Sequence, residues 1–207
     1  MEKKLKIIKI KLIFSGVVFI AEGFEEIIIP SVWETKTFVE KAGGSEILEQ
    51  MYSFKDQKSN DICLVPEITG VIQELFRNNV LKPNSNPNYT RKLFYVSRCY
   101  RYERTPQLGR QREFTQLGVE IVTTENDKKE TYKLECINLL RKILNSFNTK
   151  YEFIPTVKRG LTYYVEDGFE VECEKLASQK QIAGGGMYKE GVGFAIGLER
   201  WLLAFDK

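Results

Sequence analysis

The sequence predicts an α+β fold in which an antiparallel sheet is flanked by helices. Two observations carry this. First, residues 91 to 122 read RKLFYVSRCYRYERTPQLGRQREFTQLGVEIV, two strand-like runs around a polar loop, Thr105 to Arg112, that holds Pro106, Gly109 and two arginines. Turn residues between alternating runs signal a long hairpin. Second, helical spacing occurs in separate blocks, most plainly near the end, where Leu198, Trp201, Leu202 and Phe205 fall at i, i+3, i+4 and i+7. A chain of 207 residues suits one domain with one substantial core.

The elements follow in order. Residues 2 to 20 mix lysines with Ile7, Ile8, Ile10, Leu12, Ile13, Phe14, Val17, Val18 and Phe19, and are read as a helix packed on the domain, with a β-branched strand as the alternative. Lys9 and Lys11 interrupt the apolar run, which is shorter than the roughly 20 residues a membrane span needs, so no membrane segment is expected. Gly23 ends the helix, and Phe24 to Ile29 is expected as a strand leading to Pro30. Thr35 to Lys41 is a short helix closed by Gly43 and Gly44; Met51 to Phe54 and Ile62 to Val65 are strands around a turn at Asp56 to Asp61. A helix runs from Glu67 to about Asn79, and Leu81 to Thr90 is a loop rich in asparagine and proline. Beyond the hairpin come an amphipathic helix at about Lys128 to Phe147, a strand near Glu152, a strand over RGLTYY at 159 to 164, a glycine run at 184 to 186, a strand at Gly191 to Ile196 and the closing helix from Gly197.

The chemistry gathers on the hairpin. Side chains alternate along a strand, so Phe114, Gln116, Gly118 and Glu120 share one face, while Leu117, Val119 and Ile121 take the other as core. Arg101 and Glu103 share a face on the first arm. Two acids, an amide, an aromatic ring, a bare glycine and several arginines on one side suggest a site for an anionic ligand; a solvated sheet face is the plainer alternative. Gly118 is expected to leave room for a ligand above the sheet. The chain has no histidine, which rules out Ser-His-Asp and Cys-His arrangements. Cys63, Cys99, Cys136 and Cys173 are scattered singly and read as reduced core cysteines of an intracellular protein; no metal site is expected. The net charge of +3 permits a nucleic-acid partner without requiring one.

RYER at 101 to 104, GRQREF at 109 to 114 and TQLGVEI at 115 to 121 resemble motif 2 of class II aminoacyl-tRNA synthetases in the histidyl-tRNA synthetase version. RGLTYY with the following FEVEC is similar to the histidine-specific RGLDYY motif, and GGGMY with GVGFAIGLERWLLAF is similar to the second histidine motif running into motif 3. The helix, strand and proline of residues 2 to 30 resemble motif 1, which builds the dimer interface in that family, and LVPEIT resembles its LRPEGT stretch.

The resemblance implies a class II synthetase-like fold and a set of roles. Arg101 would contact the α-phosphate of ATP, Glu103 the adenine amino group and Arg110 the outer phosphates, while Phe114 would stack on adenine and Arg200 would pack on adenine and meet the terminal phosphate. Glu67, Thr69 and Gln116 would hold the substrate amino group. Glu120 would face the imidazole of histidine, with Tyr164 at the ring, Tyr163 nearby, and Tyr188 beside the pocket. Arg159 would join Arg101 in catalysis by contacting the carboxylate and the α-phosphate. Activation needs no histidine side chain: the substrate carboxylate attacks the α-phosphate, and arginines align and stabilise the charge. Magnesium would accompany ATP.

The chain departs from the pattern at Val65, at the inserted Thr105, at Thr115, and at Thr162, Met187 and Lys189, the last three within the histidine motifs. Residues 1 to 207 are expected to be a single catalytic core without the family's insertion and anticodon-binding domains. The resemblance thus implies an enzyme that activates histidine and passes it to tRNA, through a separate partner if needed, as a cytoplasmic homodimer, with an organelle left open. The alternatives are a histidine-binding paralogue like the regulatory subunit of ATP phosphoribosyltransferase, and a non-catalytic structural or RNA-binding module.

Overall fold

The computed structural model describes residues 2–42, 46–82, 88–158, 163–176 and 180–205. Helix α1 (Glu2–Ala21) leads into strand β1 (Glu25–Glu26), β2 (Val32–Glu34), α2 (Lys36–Ala42), α3 (Glu46–Glu49), β3 (Ser53–Lys55), β4 (Asp61–Leu64) and α4 (Thr69–Arg77). The long hairpin is β5 (Thr90–Tyr100) and β6 (Glu113–Thr123), followed by α5 (Lys129–Asn145). The chain then runs through β7 (Glu152–Val157), β8 (Gly168–Glu172), β9 (Gln181–Tyr188), β10 (Gly191–Gly197) and α6 (Leu198–Ala204). The α+β expectation holds. Seven of the described strands form one sheet in the order β1-β5-β6-β10-β9-β8-β7, and β2-β4-β3 form a small second sheet. Every pairing of the large sheet is antiparallel except β1 with β5.

The hairpin sets the register. Thr90 faces Thr123 and Tyr100 faces Glu113, with no break between. Because the pleat alternates, Leu117, Val119 and Ile121 enter one core with α1, α5 and α6, where Phe19, Leu140 and Trp201 are fully buried. On α5 the buried residues Cys136, Leu139, Leu140, Ile143 and Leu144 follow the helical repeat. The opposite face meets a second core around α4, formed by Ile68, Val71, Ile72, Leu93, Tyr95 and Cys99 among others. That second core takes in Val122 of β6 as well as residues of β5. Further along the same sheet, Phe114 and Gln116 of β6, Ala195 and Gly197 of β10 and Gln181 to Gly184 of β9 line a cleft.

Several expectations shift at their ends. Residues 2–21 are helical, and Gly23 ends the helix at φ +84° while Phe24 N–H donates to the Phe19 carbonyl at 2.9 Å. The strand expected over Phe24 to Ile29 is reduced to Glu25–Glu26, which pair with Leu93 and Phe94. Ile27 N–H still donates to Phe94 O, but Ile28 is 86% exposed. The helix expected from Glu67 starts at Thr69 instead, because the Glu67 carboxylate caps it: both its oxygens accept from Gly70 N–H, at 2.8 and 3.1 Å. Gly184 to Gly186 lie inside β9. All four cysteines are buried and free. Among the described residues no helix is long and apolar enough to cross a membrane.

Candidate functional site

The cleft on the sheet measures about 450 Å³, within the size range of small-molecule sites. Of the residues singled out from the sequence, Glu67, Thr69, Arg101, Glu103, Arg110, Phe114, Gln116, Tyr163, Tyr164 and Arg200 line it. They come from the start of α4, the hairpin and its loop, the segment before β8, and α6. The sheet register brings part of the site together: Gln116 on β6 stands opposite Gly197, the residue that ends β10 and caps α6.

One end of the cleft is cationic. Arg101 donates from Nε to the Pro66 carbonyl at 2.9 Å, and its guanidinium lies 5.4 Å from the Phe114 ring centroid. Arg200 donates from Nε to Gly109 O at 2.7 Å and from Nη1 to Gln181 O at 3.2 Å, so α6, the hairpin loop and the start of β9 are tied by one side chain. Burial lowers the Arg200 pKa, and the nearby Arg110 and Arg101 charges lower it further. Three guanidinium groups this close repel one another, and an anion between them would relieve that repulsion. Arg110 forms an ion pair with Glu103. Gly109 sits at φ +81°, a left-handed turn that brings its carbonyl to Arg200; a Cβ there would stand 3.1 Å from Leu203.

The other end is acidic and aromatic. Glu67 caps α4 and also accepts from the Tyr163 hydroxyl at 3.3 Å. Behind it, Glu120 is 1% exposed and accepts from Thr69 Oγ1 at 2.6 Å and from the Tyr188 hydroxyl at 2.7 Å. Burial pushes the Glu120 carboxyl up to about 8; the two hydroxyl donors pull it down, and the charge on Glu67 adds to the rise. Glu120 fits because Gly193 on β10 has no side chain: a Cβ there would lie 2.0 Å from Glu120 Oε2. The solvated-face alternative therefore fails at Glu120, which is sealed among hydroxyls instead of facing water.

Four placements differ from the sequence reading. Glu120 and Tyr188 sit behind the cleft wall, hydrogen-bonded to each other and buried. Tyr163 and Tyr164 fall in a stretch expected as strand, where neighbours would point to opposite faces, yet both line the cleft, with ring centroids 4.6 Å apart. They lie outside the named strands, with Tyr164 in an isolated bridge to Tyr188. Gly118 makes room for a neighbouring side chain instead of a ligand: a Cβ there would be 2.4 Å from the Tyr95 hydroxyl oxygen. Met187 belongs to the apolar core on the far face. Arg159 and Thr162 lie outside the described residues.

Sequence reasoning passed over Glu170, Gln181 and Glu199, which also line the cleft. Gln181 donates to Glu170 at 2.9 Å, and both Glu199 oxygens accept from Thr115 N–H at 3.0 Å. Their signal was present, since Glu199 precedes Arg200 in GLER and Glu170 lies in FEVEC.

Residues 52–195 match the family model described as the tRNA synthetase class II core domain (G, H, P, S and T). The chain is similar to a histidine--tRNA ligase of Clostridioides difficile, at 24% identity over 89% of this chain and 67% of the relative. It is also similar to that of Ureaplasma parvum, at 29% over 89% and 68%, and to that of Methanococcus aeolicus, at 39% over 72% and 33%. The chain thus spans about two thirds of the first two relatives. The C. difficile alignment runs over 286 positions, more than the 207 residues of this chain. Among solved structures, the fold resembles apo Staphylococcus aureus histidyl-tRNA synthetase with a TM-score of 0.72 at 24% identity, covering 98% of this chain and 66% of the other. It also resembles a Bacillus halodurans protein described as an ATP phosphoribosyltransferase regulatory subunit/histidyl-tRNA synthetase, with a TM-score of 0.77 at 15% identity, covering 100% and 80%.

Proposed function

The chain belongs to the class II tRNA synthetase core family, and on that premise we propose that it is a histidyl-tRNA synthetase-like ligase that activates histidine with ATP and transfers it to tRNA. One observation carries this reading: a single cleft has arginines at one end and the buried Glu67 carboxylate with two tyrosines at the other. Adenylation needs that polarity. The triphosphate requires fixed cations, and guanidinium forks match phosphate oxygens. The substrate's ammonium and imidazole N–H groups require acceptors, a role this reading gives to Glu67 in the cleft and to Glu120 behind its wall.

In this reading Arg101 binds the α-phosphate while its guanidinium packs on Phe114, which also holds adenine. Arg110 and Glu103 exchange their mutual ion pair for the outer phosphates and the adenine amino group. Arg200 closes the nucleotide end from α6. Thr69 and Gln116 orient the substrate amino group beside Glu67, and Tyr163 and Tyr164 flank the ring. Glu120 meets the imidazole once the Tyr188 and Thr69 hydroxyls share it. Arg159 aligns the carboxylate with phosphorus. Magnesium suits the carboxylates Glu170 and Glu199 that line the cleft, since it takes one or two such ligands beside phosphate and water; it would neutralise charge on the phosphates. The dimer, the tRNA partner, the single-core organisation and a cytoplasmic location belong to the same proposal.

A second reading, a histidine-binding regulatory subunit, is favoured by the fold shared with the B. halodurans protein. The retained Arg101, Glu103 and Arg200 favour the ligase. Single-turnover adenylate formation with separate ATP titrations tests the ligase. Losing one donor to a developing anion slows a reaction by about a hundredfold to a thousandfold, so Arg159→Ala should slow activation by that order with ATP affinity little changed. Arg101→Ala should damage both. Adenylate formation by Arg159→Ala within about threefold of wild type would remove Arg159 from the mechanism.

A further inference from the structure

Lys129 opens α5, yet its side chain is buried. Its ammonium donates to the carbonyl oxygens of Tyr188, at 3.3 Å, and of Lys189, at 2.5 Å. A lysine is an unfavourable first residue for a helix, since the N-terminal end of the macrodipole repels cations. Burial adds a second penalty and lowers its pKa, partly offset by Glu190. A residue placed against both trends is held there by what it grips, which is the turn between β9 and β10. The turn is also held by the pairing of Gly191 with Tyr188 and Val122, by Thr123 N–H donating to Glu190 O at 2.8 Å, and by Arg77, 3.8 Å from the Glu190 carboxylate; Lys129 is the side chain that grips the carbonyls of both Tyr188 and Lys189.

The same turn carries part of the acidic end of the cleft. Tyr188 sends its carbonyl to Lys129 and its hydroxyl to Glu120 Oε2. It forms the isolated bridge to Tyr164, reinforced by Val165 N–H donating to Met187 O at 3.0 Å. Its ring stands edge-on to Tyr163 at 6.2 Å. A continuous path therefore runs from the Lys129 ammonium through Tyr188 to Glu120 and Thr69, with the two cleft tyrosines resting on its side.

We propose that Lys129 is a positioning residue for the amino-acid pocket, fixing Tyr188 and through it Glu120 and Tyr164, and so setting affinity for the amino acid without touching it. This rests on the reading of the acidic end as the amino-acid subsite. The nucleotide end hangs on α6 and the hairpin loop, which Lys129 does not contact, so its loss separates the two substrates.

The test is ATP–pyrophosphate exchange with histidine for wild type, Lys129→Met, Lys129→Arg, Tyr188→Phe and the Lys129→Met/Tyr188→Phe pair. Lys129→Met should raise the histidine KM on the order of tenfold, about the effect of one lost buried hydrogen bond, with the ATP KM unchanged. Lys129→Arg, which keeps the donors, should recover most of the loss. In the Tyr188→Phe background the lysine change should raise the histidine KM by a smaller factor than in wild type, because the branch to Glu120 is already cut and the Tyr164 branch alone remains. Should Lys129→Met fail to fold, Lys129→Gln, which retains a donor, takes its place. An unchanged histidine KM, a parallel rise in both KM values, or additive effects in the double variant would overturn the proposal. A wild-type chain silent with histidine would overturn the reading of the subsite itself, and the proposal with it.

Discussion

Glu120 offers a prediction whose size follows from its surroundings. Its carboxyl is sealed at 1% exposure and pushed from 4.5 up to about 8, chiefly by burial. A folded pKa above the unfolded one means that the native state keeps a proton which the unfolded state releases. Stability from this group is therefore complete below about pH 4.5 and declines as pH rises, until the folded carboxyl also ionises near 8. Each unit of that window removes about 1.4 kcal/mol. The full window would amount to about 5 kcal/mol, as large as the whole stability of many domains, so the slope near neutrality is the quantity to measure. Glu120→Gln does not titrate, and its amide can still bond the Thr69 and Tyr188 hydroxyls. Urea unfolding of both proteins at pH 5, 6, 7 and 8 should show wild type losing about 1 kcal/mol per unit relative to the variant between pH 5.5 and 7.5. Parallel curves would mean that Glu120 is ionised at neutral pH and that its sealed environment is misjudged.

Three further outcomes follow from the same geometry. Gly118→Ala places a methyl 2.4 Å from the Tyr95 hydroxyl oxygen and 2.8 Å from the Phe194 carbonyl, and should lower unfolding free energy by about 1 to 3 kcal/mol; a loss under about 0.5 kcal/mol would show that Tyr95 moves aside freely. On α1, Ile13, Val17 and Ile20 are each over 60% exposed, next to the open edge at β1; such an apolar stripe is expected to be covered in a homodimer. Light scattering should give a dimer that Val17→Glu converts to a monomer, and a concentration-independent wild-type monomer would contradict it. Arg200→Ala removes the tie between α6 and Gly109 together with one of the three guanidinium groups, and should weaken ATP binding more than histidine binding in paired titrations; equal weakening would place Arg200 in the scaffold alone.

Much of this was readable in the residues because the site is built on a regular hairpin. Once Arg91 to Val122 is taken as two paired arms, period-two alternation puts Phe114, Gln116 and Glu120 on one face and Leu117, Val119 and Ile121 on the other, as found. What escaped depended on partners from elsewhere in the chain. Gly118 reads as space for a ligand until the register sets Tyr95 opposite it. Tyr163 and Tyr164 escape alternation because, among the described residues, they lie outside the named strands, Tyr164 in an isolated bridge to Tyr188. Glu67 admitted two readings, cap of α4 and ligand for a cation, and the first holds while leaving the second open. Lys129 carries no motif at all, and its importance arises only where the β9–β10 turn folds back over α5.

The central claim is that one cleft binds ATP and histidine for adenylation, and ATP–pyrophosphate exchange with magnesium and each of the twenty amino acids in turn addresses it. The account predicts exchange with histidine, abolished by Arg101→Ala. Exchange with a different amino acid alone would keep the chemistry and refute the histidine assignment. No exchange with any of the twenty, from a folded sample, would contradict the ligase reading and leave the regulatory and structural ones.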